Sequence, residues 1–163
     1  MFLFLGRSVM LTVKGWVLRF LALDDFKPIE GATRLQKLMF LASQKIKQLE
    51  GFPKFEPGPY GPFSSEIEEA LKELKKEGLV EETTRLGGLK EHARVFSLTE
   101  NGKKVAKTIL EKVLKQNSKV LKELEDLKKD WNNVPLLLFL MHVYNLYPEY
   151  AKRSIIKSRI PRP

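Results

Sequence analysis

Along most of this chain apolar residues recur every three or four positions, the period of a half-buried helix. Trp16, Val17, Phe20 and Leu21 mark the inner face of a first helix expected over Leu11–Leu23. Thr33 is a suitable N-cap for a second helix running to about Leu49, with Leu35, Leu38, Met39, Leu41, Ala42 and Ile46 as its stripe and Gly51 at its end. The pattern breaks between Phe52 and Phe63, where Pro53, Pro57, Gly58, Pro59, Gly61 and Pro62 rule out a helix of any length. It resumes after Ser64 and Ser65. Ser65 with Glu68 has the spacing of a capping box, and Ile67, Ala70, Leu71 and Leu74 form one apolar face. Gly78 stands where a left-handed C-cap residue is expected.

From Leu79 the pattern changes. Val80 and the Thr83–Thr84 pair favour an extended run to Leu86, and Gly87–Gly88 supplies a tight hairpin turn. Ala93–Leu98 reads as the returning strand. Thr99 then opens another helix, whose first turns Gly102 weakens. A capped helix, a two-stranded wing and a new helix start are the parts of a winged helix-turn-helix. The expected class is therefore mainly α with a small β-hairpin wing (α+β) and a long C-terminal helical extension. The divisions are 10–100 for the winged domain, 101–155 for the extension and 156–163 for a basic tail.

In the extension Ala106, Leu110, Val113, Asn117, Val120, Leu124, Leu127 and Trp131 alternate spacings of four and three, a heptad seam. Two arrangements fit. The seam joins two chains in a homodimer through Leu110, Val113, Asn117, Val120, Leu124 and Leu127. Alternatively it packs within the chain on Leu136–Tyr147, and Asn117 marks a bend or break.

At 163 residues the chain suits one domain with such an extension. It has no cysteine, which excludes disulfides and thiolate metal ligands, and only His92 and His142 offer an imidazole. No nucleophile–base spacing, phosphate loop or metal-ligand cluster is visible, so neither an enzyme nor a cofactor is expected. Met1–Leu5 is too short for an export signal, and Met10 is an alternative start. Pro135–Tyr144 has only about half the length of a membrane span and reads as a buried helix. No membrane association and a cytoplasmic location are the expectation. The Lys and Glu content suits a protein from a hot environment.

Charge brings in a partner. The net charge is +9, with nine lysines against five acids in 101–130 and five basic residues without an acid in 151–163. Such a balance attracts phosphate backbones. By contrast, 64–77 carries five Glu against three Lys.

Four segments carry a family resemblance: G-A-T-R-L-Q-K-L-M-F-L (Gly31–Leu41), P-Y-G-P-F-S (Pro59–Ser64), E-A-L-K-E-L-K-K-E-G-L-V (Glu69–Val80) and F-S-L-T-E-N-G (Phe96–Gly102). Together they resemble the YwgA-like proteins and the related Panacea antitoxin domain, which share an R-L-Q-K-L-x-[FY]-L helix followed by a Y-G-P-[FY]-S turn. Y-N-L-Y-P-E-Y-A-K-R-S (Tyr144–Ser154) is similar to a tail of that group. The G-L-V and L-T-x-x-G elements are also shared, more distantly, with PadR-like and MarR-like regulators. The resemblance implies a winged helix. It leaves the ligand open, since those regulators bind DNA as dimers, whereas the Panacea domain is associated with neutralising or delivering a partner protein.

Two functions follow. The preferred one is a transcription-regulator-like protein on double-stranded DNA. Wing residues Arg85, Lys90 and Arg94 would meet phosphates, and Ser64, Ser65, Arg34 and Lys37 would lie at the groove. Arg153, Lys157, Arg159 and Arg162 would form either a DNA-binding arm or a solvated terminus. Glu66, Glu68 and Glu69 oppose this reading, because carboxylates at the start of a recognition helix repel phosphates. The alternative is a protein-interaction module, antitoxin-like or adaptor-like, with Tyr60, Phe63, Glu66 and Glu69 at the contact. The discriminating feature is whether Arg34, Arg85, Lys90 and Arg94 form one continuous surface.

Overall fold

The structure, a computed structural model, describes residues 12–46, 53–87, 90–116 and 118–156. Within them the chain is mainly helical, with a small three-stranded antiparallel sheet.

Helix α1 (Val13–Phe26) is capped by Thr12, whose side chain accepts from the Gly15 N–H at 3.2 Å. Its regular part ends early. Leu23 is extended, and Asp24, Asp25 and Phe26 carry φ of 56°, 56° and 59°. Left-handed backbone costs an L-residue roughly 1–2 kcal/mol, so three in succession need support from elsewhere. Strand β1 (Ile29–Glu30) follows, then α2 (Ala32–Lys45). Gly31 with φ 96°, not Thr33, sits at the N-cap of α2, and Thr33 is the buried second residue of the helix. The expected end of this helix at Leu49–Gly51 lies outside the described residues.

The stretch read as a rigid loop is partly a hairpin. Strand β2 (Glu56–Gly58) pairs antiparallel with β3 (Gly61–Phe63), Pro57 opposite Pro62. Phe52 lies outside the described residues. Helix α3 (Ser65–Lys76) is capped by Ser64, which accepts from the Glu66 N–H at 3.3 Å. The expected Ser65–Glu68 capping box does not form, because Glu68 turns to an arginine in the sheet.

Strands β4 (Val80–Gly87) and β5 (Lys90–Leu98) pair as an antiparallel hairpin, and β1 adds to the far edge of β5 to give the order β1-β5-β4. The register runs Val80↔Leu98 to Gly87↔Lys90, with an irregularity between Leu86 and Gly87. The returning strand thus begins before Ala93; Gly88 lies outside the described residues.

Thr99 starts α4 (Glu100–Gln116) by accepting from the Gly102 N–H at 3.0 Å. Gly102 has a packing reason to be small: a Cβ there would lie 1.9 Å from the Leu79 carbonyl oxygen. Helix α5 (Ser118–Trp131) and α6 (Leu136–Leu146) follow, then a 3-10 turn over Pro148–Ala151. Among the described residues no helix is long and apolar enough to cross a membrane.

One core joins all of this. Trp16, Val17 and Phe20 of α1 share it with Leu38 and Leu41 of α2, Ile67 and Leu71 of α3, and Val105, Ala106, Ile109, Val120, Leu124, Leu127 and Phe139 of the C-terminal helices. The heptad seam is corrected here. Val120, Leu124 and Leu127 are buried inside their own chain, so these side chains do not face a second copy. Leu110 is half-buried against the same core, and Trp131 stacks on Phe139 at 5.1 Å. The Val113 side chain and all of Asn117 lie outside the described residues. The bend or break expected at Asn117 thus falls outside the described residues.

Candidate interaction surface

The site begins with helix α2, whose polar side chains point inward. Short strands leave backbone groups that need partners when buried, and α2 supplies them to β3. The Gln36 amide donates to the Ser64 carbonyl at 2.9 Å and accepts from the Ser64 N–H at 2.8 Å. Lys37 donates to the Pro62 carbonyl at 2.7 Å and is only 2% exposed. Arg34 donates to the Trp131 carbonyl at 2.6 Å and to the Glu30 carbonyl at 3.3 Å. Burial lowers the Arg34 pKa against the pull of Glu30. Arg34, Lys37 and Ser64, expected at a DNA groove, are therefore interior residues that brace the hairpin and α3.

The hairpin is in turn covered by the C-terminal segment. Ile155 N–H donates to the Pro59 carbonyl at 2.9 Å, and the Tyr144 hydroxyl bonds the Ser154 hydroxyl at 2.7 Å. Phe40 meets Phe55, Tyr147 and Tyr150 edge-on, with centroids 5.3, 5.0 and 4.7 Å away. Tyr60 and Phe63 are half-buried, and Tyr60 packs against the core. The aromatic set around this turn is largely packing.

The arginines of the β4–β5 hairpin have partners as well. Arg94 lies between two acids, donating to Glu82 through Nε at 3.0 Å and Nη2 at 3.1 Å, and to Glu68 through Nη1 at 3.1 Å. Its guanidinium lies 4.9 Å from the Phe96 ring centre. The hydrogen bond to Glu82 raises the Arg94 pKa, and the same bond lowers that of Glu82, which Lys75 also contacts at 3.0 Å. Arg85 projects from β4, 69% exposed at its side chain and 3.3 Å from Glu30. Lys90 belongs to β5, but its side chain lies outside the described residues, as does that of His92. Lys157, Arg159 and Arg162 lie outside as well. Arg34, Arg85 and Arg94 do not meet on one surface. Arg34 is interior, Arg94 is held by carboxylates and Arg85 faces Glu30.

The outer face of α3 differs. Ser65, Glu66 and Glu69 are exposed, Glu68 being the acid that turns inward to Arg94. At the other end of this helix Lys14 pairs with Glu73 and Glu77. The result is a rigidly seated helix whose solvent side starts acidic.

Sequence reading missed two buried cations. Lys128 looked like one of nine lysines on a solvated helix, yet it lies on the Leu124 side, four residues on. Arg19 is buried over the Trp16 ring at 4.2 Å, and burial alone lowers its pKa to about 10. Among the described residues no group of three or more His, Asp or Glu is placed to hold a metal ion. No family model matches the chain, and a search of curated proteins finds no match.

Proposed function

We propose that this chain is a non-enzymatic winged-helix module that binds a protein partner through the acidic outer face of α3. The fold reading rests on the order α1-β1-α2-α3-β4-β5, with β1 on the edge of the wing sheet. The β2–β3 hairpin is an insertion before the helix that would occupy the recognition position.

One observation carries the choice of ligand. Arg34, Lys37 and Arg94, three of the cations that would meet phosphates, are engaged by groups of the fold, while Ser65, Glu66 and Glu69 stand exposed at the helix start. A partner with a basic patch is the complement of that face. The family resemblance adds an antitoxin-like or adaptor-like precedent.

Duplex DNA is the second reading, favoured by the net charge of +9. The test is a photo-crosslinking residue at position 69, with position 104 on α4 as control. A protein crosslinked at 69, absent at 104 and lost in Glu66→Lys, supports the proposal. Binding of a random duplex, weakened by Arg85→Ala and with log affinity falling steeply with log salt, overturns it.

A further inference from the structure

Lys128 is 0% exposed, and its side chain ends on backbone rather than on a carboxylate. Nζ lies 2.6 Å from the Leu23 oxygen, 2.8 Å from that of Lys27 and 3.4 Å from that of Leu21. Three residues before it on α5, Glu125 accepts from the Asp24 N–H at 2.9 Å. Four residues after it, Asn132 donates to the Pro28 carbonyl at 3.0 Å. One face of α5 and the residue just beyond its end thus hold residues 21–28 at five backbone groups. The held segment includes the left-handed turn Asp24–Phe26 and leads straight into β1.

The chemistry of the grip depends on a proton. An ammonium has three donors, one for each carbonyl, whereas a neutral amine has two. We propose that Lys128 is a proton-operated latch, which pins the turn at 24–26 to α5 when charged and releases one carbonyl, loosening the turn, when neutral. Its effect reaches the wing, because β1 pairs with β5 at Ile29↔Phe96 and Glu30 faces Arg85.

The groups around it set the working range. Burial pushes the ammonium down from 10.5 to about 7. Asp24 of the turn and Glu125 of α5 favour the charge, and Lys27 opposes it. The folded value thus lies below the unfolded one. Between about 7 and 10.5 the unfolded chain holds a proton that the folded chain has lost, so global stability rises with pH across that window. Over the lower part of the same window the turn loosens through local openings that keep Lys128 inside the fold, whereas openings that release it to water become rarer, as global unfolding does.

The test is an NMR titration of the full chain labelled at lysine Cε, with Lys128→Met for assignment. One resonance should titrate near 7, well apart from the surface lysines. The amide signals of Asp24–Lys27 should move with the same midpoint. Hydrogen exchange at the Lys27 amide, which bonds the Asp24 carbonyl at 3.2 Å, should quicken about fivefold above it after correction for intrinsic rate, the worth of about one hydrogen bond. If Lys128→Met does not fold, Asn132→Ala takes its place. That variant should speed this exchange at every pH while keeping the midpoint. Titration of Lys128 together with the surface lysines overturns the proposal. So does a titration near 7 that leaves the turn amides unmoved.

Discussion

Replacing Gln36 tests whether α2 holds the hairpin and, through it, the start of α3. The side chain is buried and makes a matched pair of bonds to the backbone of Ser64, which is itself buried. Gln36→Ala leaves one N–H and one carbonyl without partners, at about 1–3 kcal/mol each. Releasing the ordered glutamine side chain returns about 1.5 kcal/mol. The net loss is about 0.5–4.5 kcal/mol, centred near 2.5, against the roughly 5–15 kcal/mol that holds a domain of this size together. With a urea slope near 2 kcal/mol/M, the unfolding midpoint should fall by about 0.3–2 M. Gln36→Glu is the sharper variant. It keeps the acceptor for the Ser64 N–H but turns a second acceptor towards the Ser64 carbonyl. Despite its near-identical shape it should cost at least as much as alanine at neutral pH and recover towards the parent in acid. Urea melts followed by far-UV circular dichroism read both. A loss below about 0.5 kcal/mol in both variants would refute the reasoning, since it would mean that water replaces Gln36 without cost.

Further outcomes follow from single contacts. Gly61→Ala places a Cβ 2.6 Å from Tyr144 Cε1 at a φ of 94°; left-handed strain and overpacking together should cost about 2–4 kcal/mol, partly relieved by Tyr144→Leu, and an unchanged thermal melt would refute the close approach. Leu124→Ala should cost about 3 kcal/mol with no change in mass by light scattering; a halved mass with unchanged melting would restore the intermolecular seam. Arg94 holds the Glu82 carboxyl below its usual value of 4.5, so the stability from this pair is full above 4.5 and is lost as pH falls through the lower folded value; Glu82→Gln should flatten stability against pH below 4.5, and an unchanged acid limb would remove the pair from the account.

Much of the fold was legible because it follows local rules. The apolar stripes of α1, α2 and α3, the Gly78 cap and the Thr99 start all depend on residues within a turn or two of one another. Gly102 read as a weak point in a helix because its reason, the Leu79 carbonyl, lies on another element. The turn at Asp24–Phe26 carries no glycine; Asp24 and Asp25 are of a type that tolerates positive φ, but Phe26 is not, and the segment is held by Lys128 and Glu125, about a hundred residues away. The heptad seam was seen, but periodicity states that a face is apolar and not which chain covers it. α1 covers it here.

The candidate site was read less well, for a related reason. Arg34, Gln36, Lys37 and Ser64 stand in the segments that carry the family resemblance, and they were natural choices for a recognition surface. In the structure their polar atoms face inward and close backbone hydrogen bonds between α2, the hairpin, Glu30 and Trp131. Such a motif is specific because each member must fit one backbone group at one distance. That same fit removes its polar atoms from any ligand. In the proposed reading, contact with a partner falls to positions that the fold leaves unconstrained, such as Ser65, Glu66 and Glu69, where any helix-compatible residue would serve the structure equally well. A resemblance built on the bracing residues therefore speaks for the scaffold. The identity of the ligand has to be read from the charge and exposure of α3.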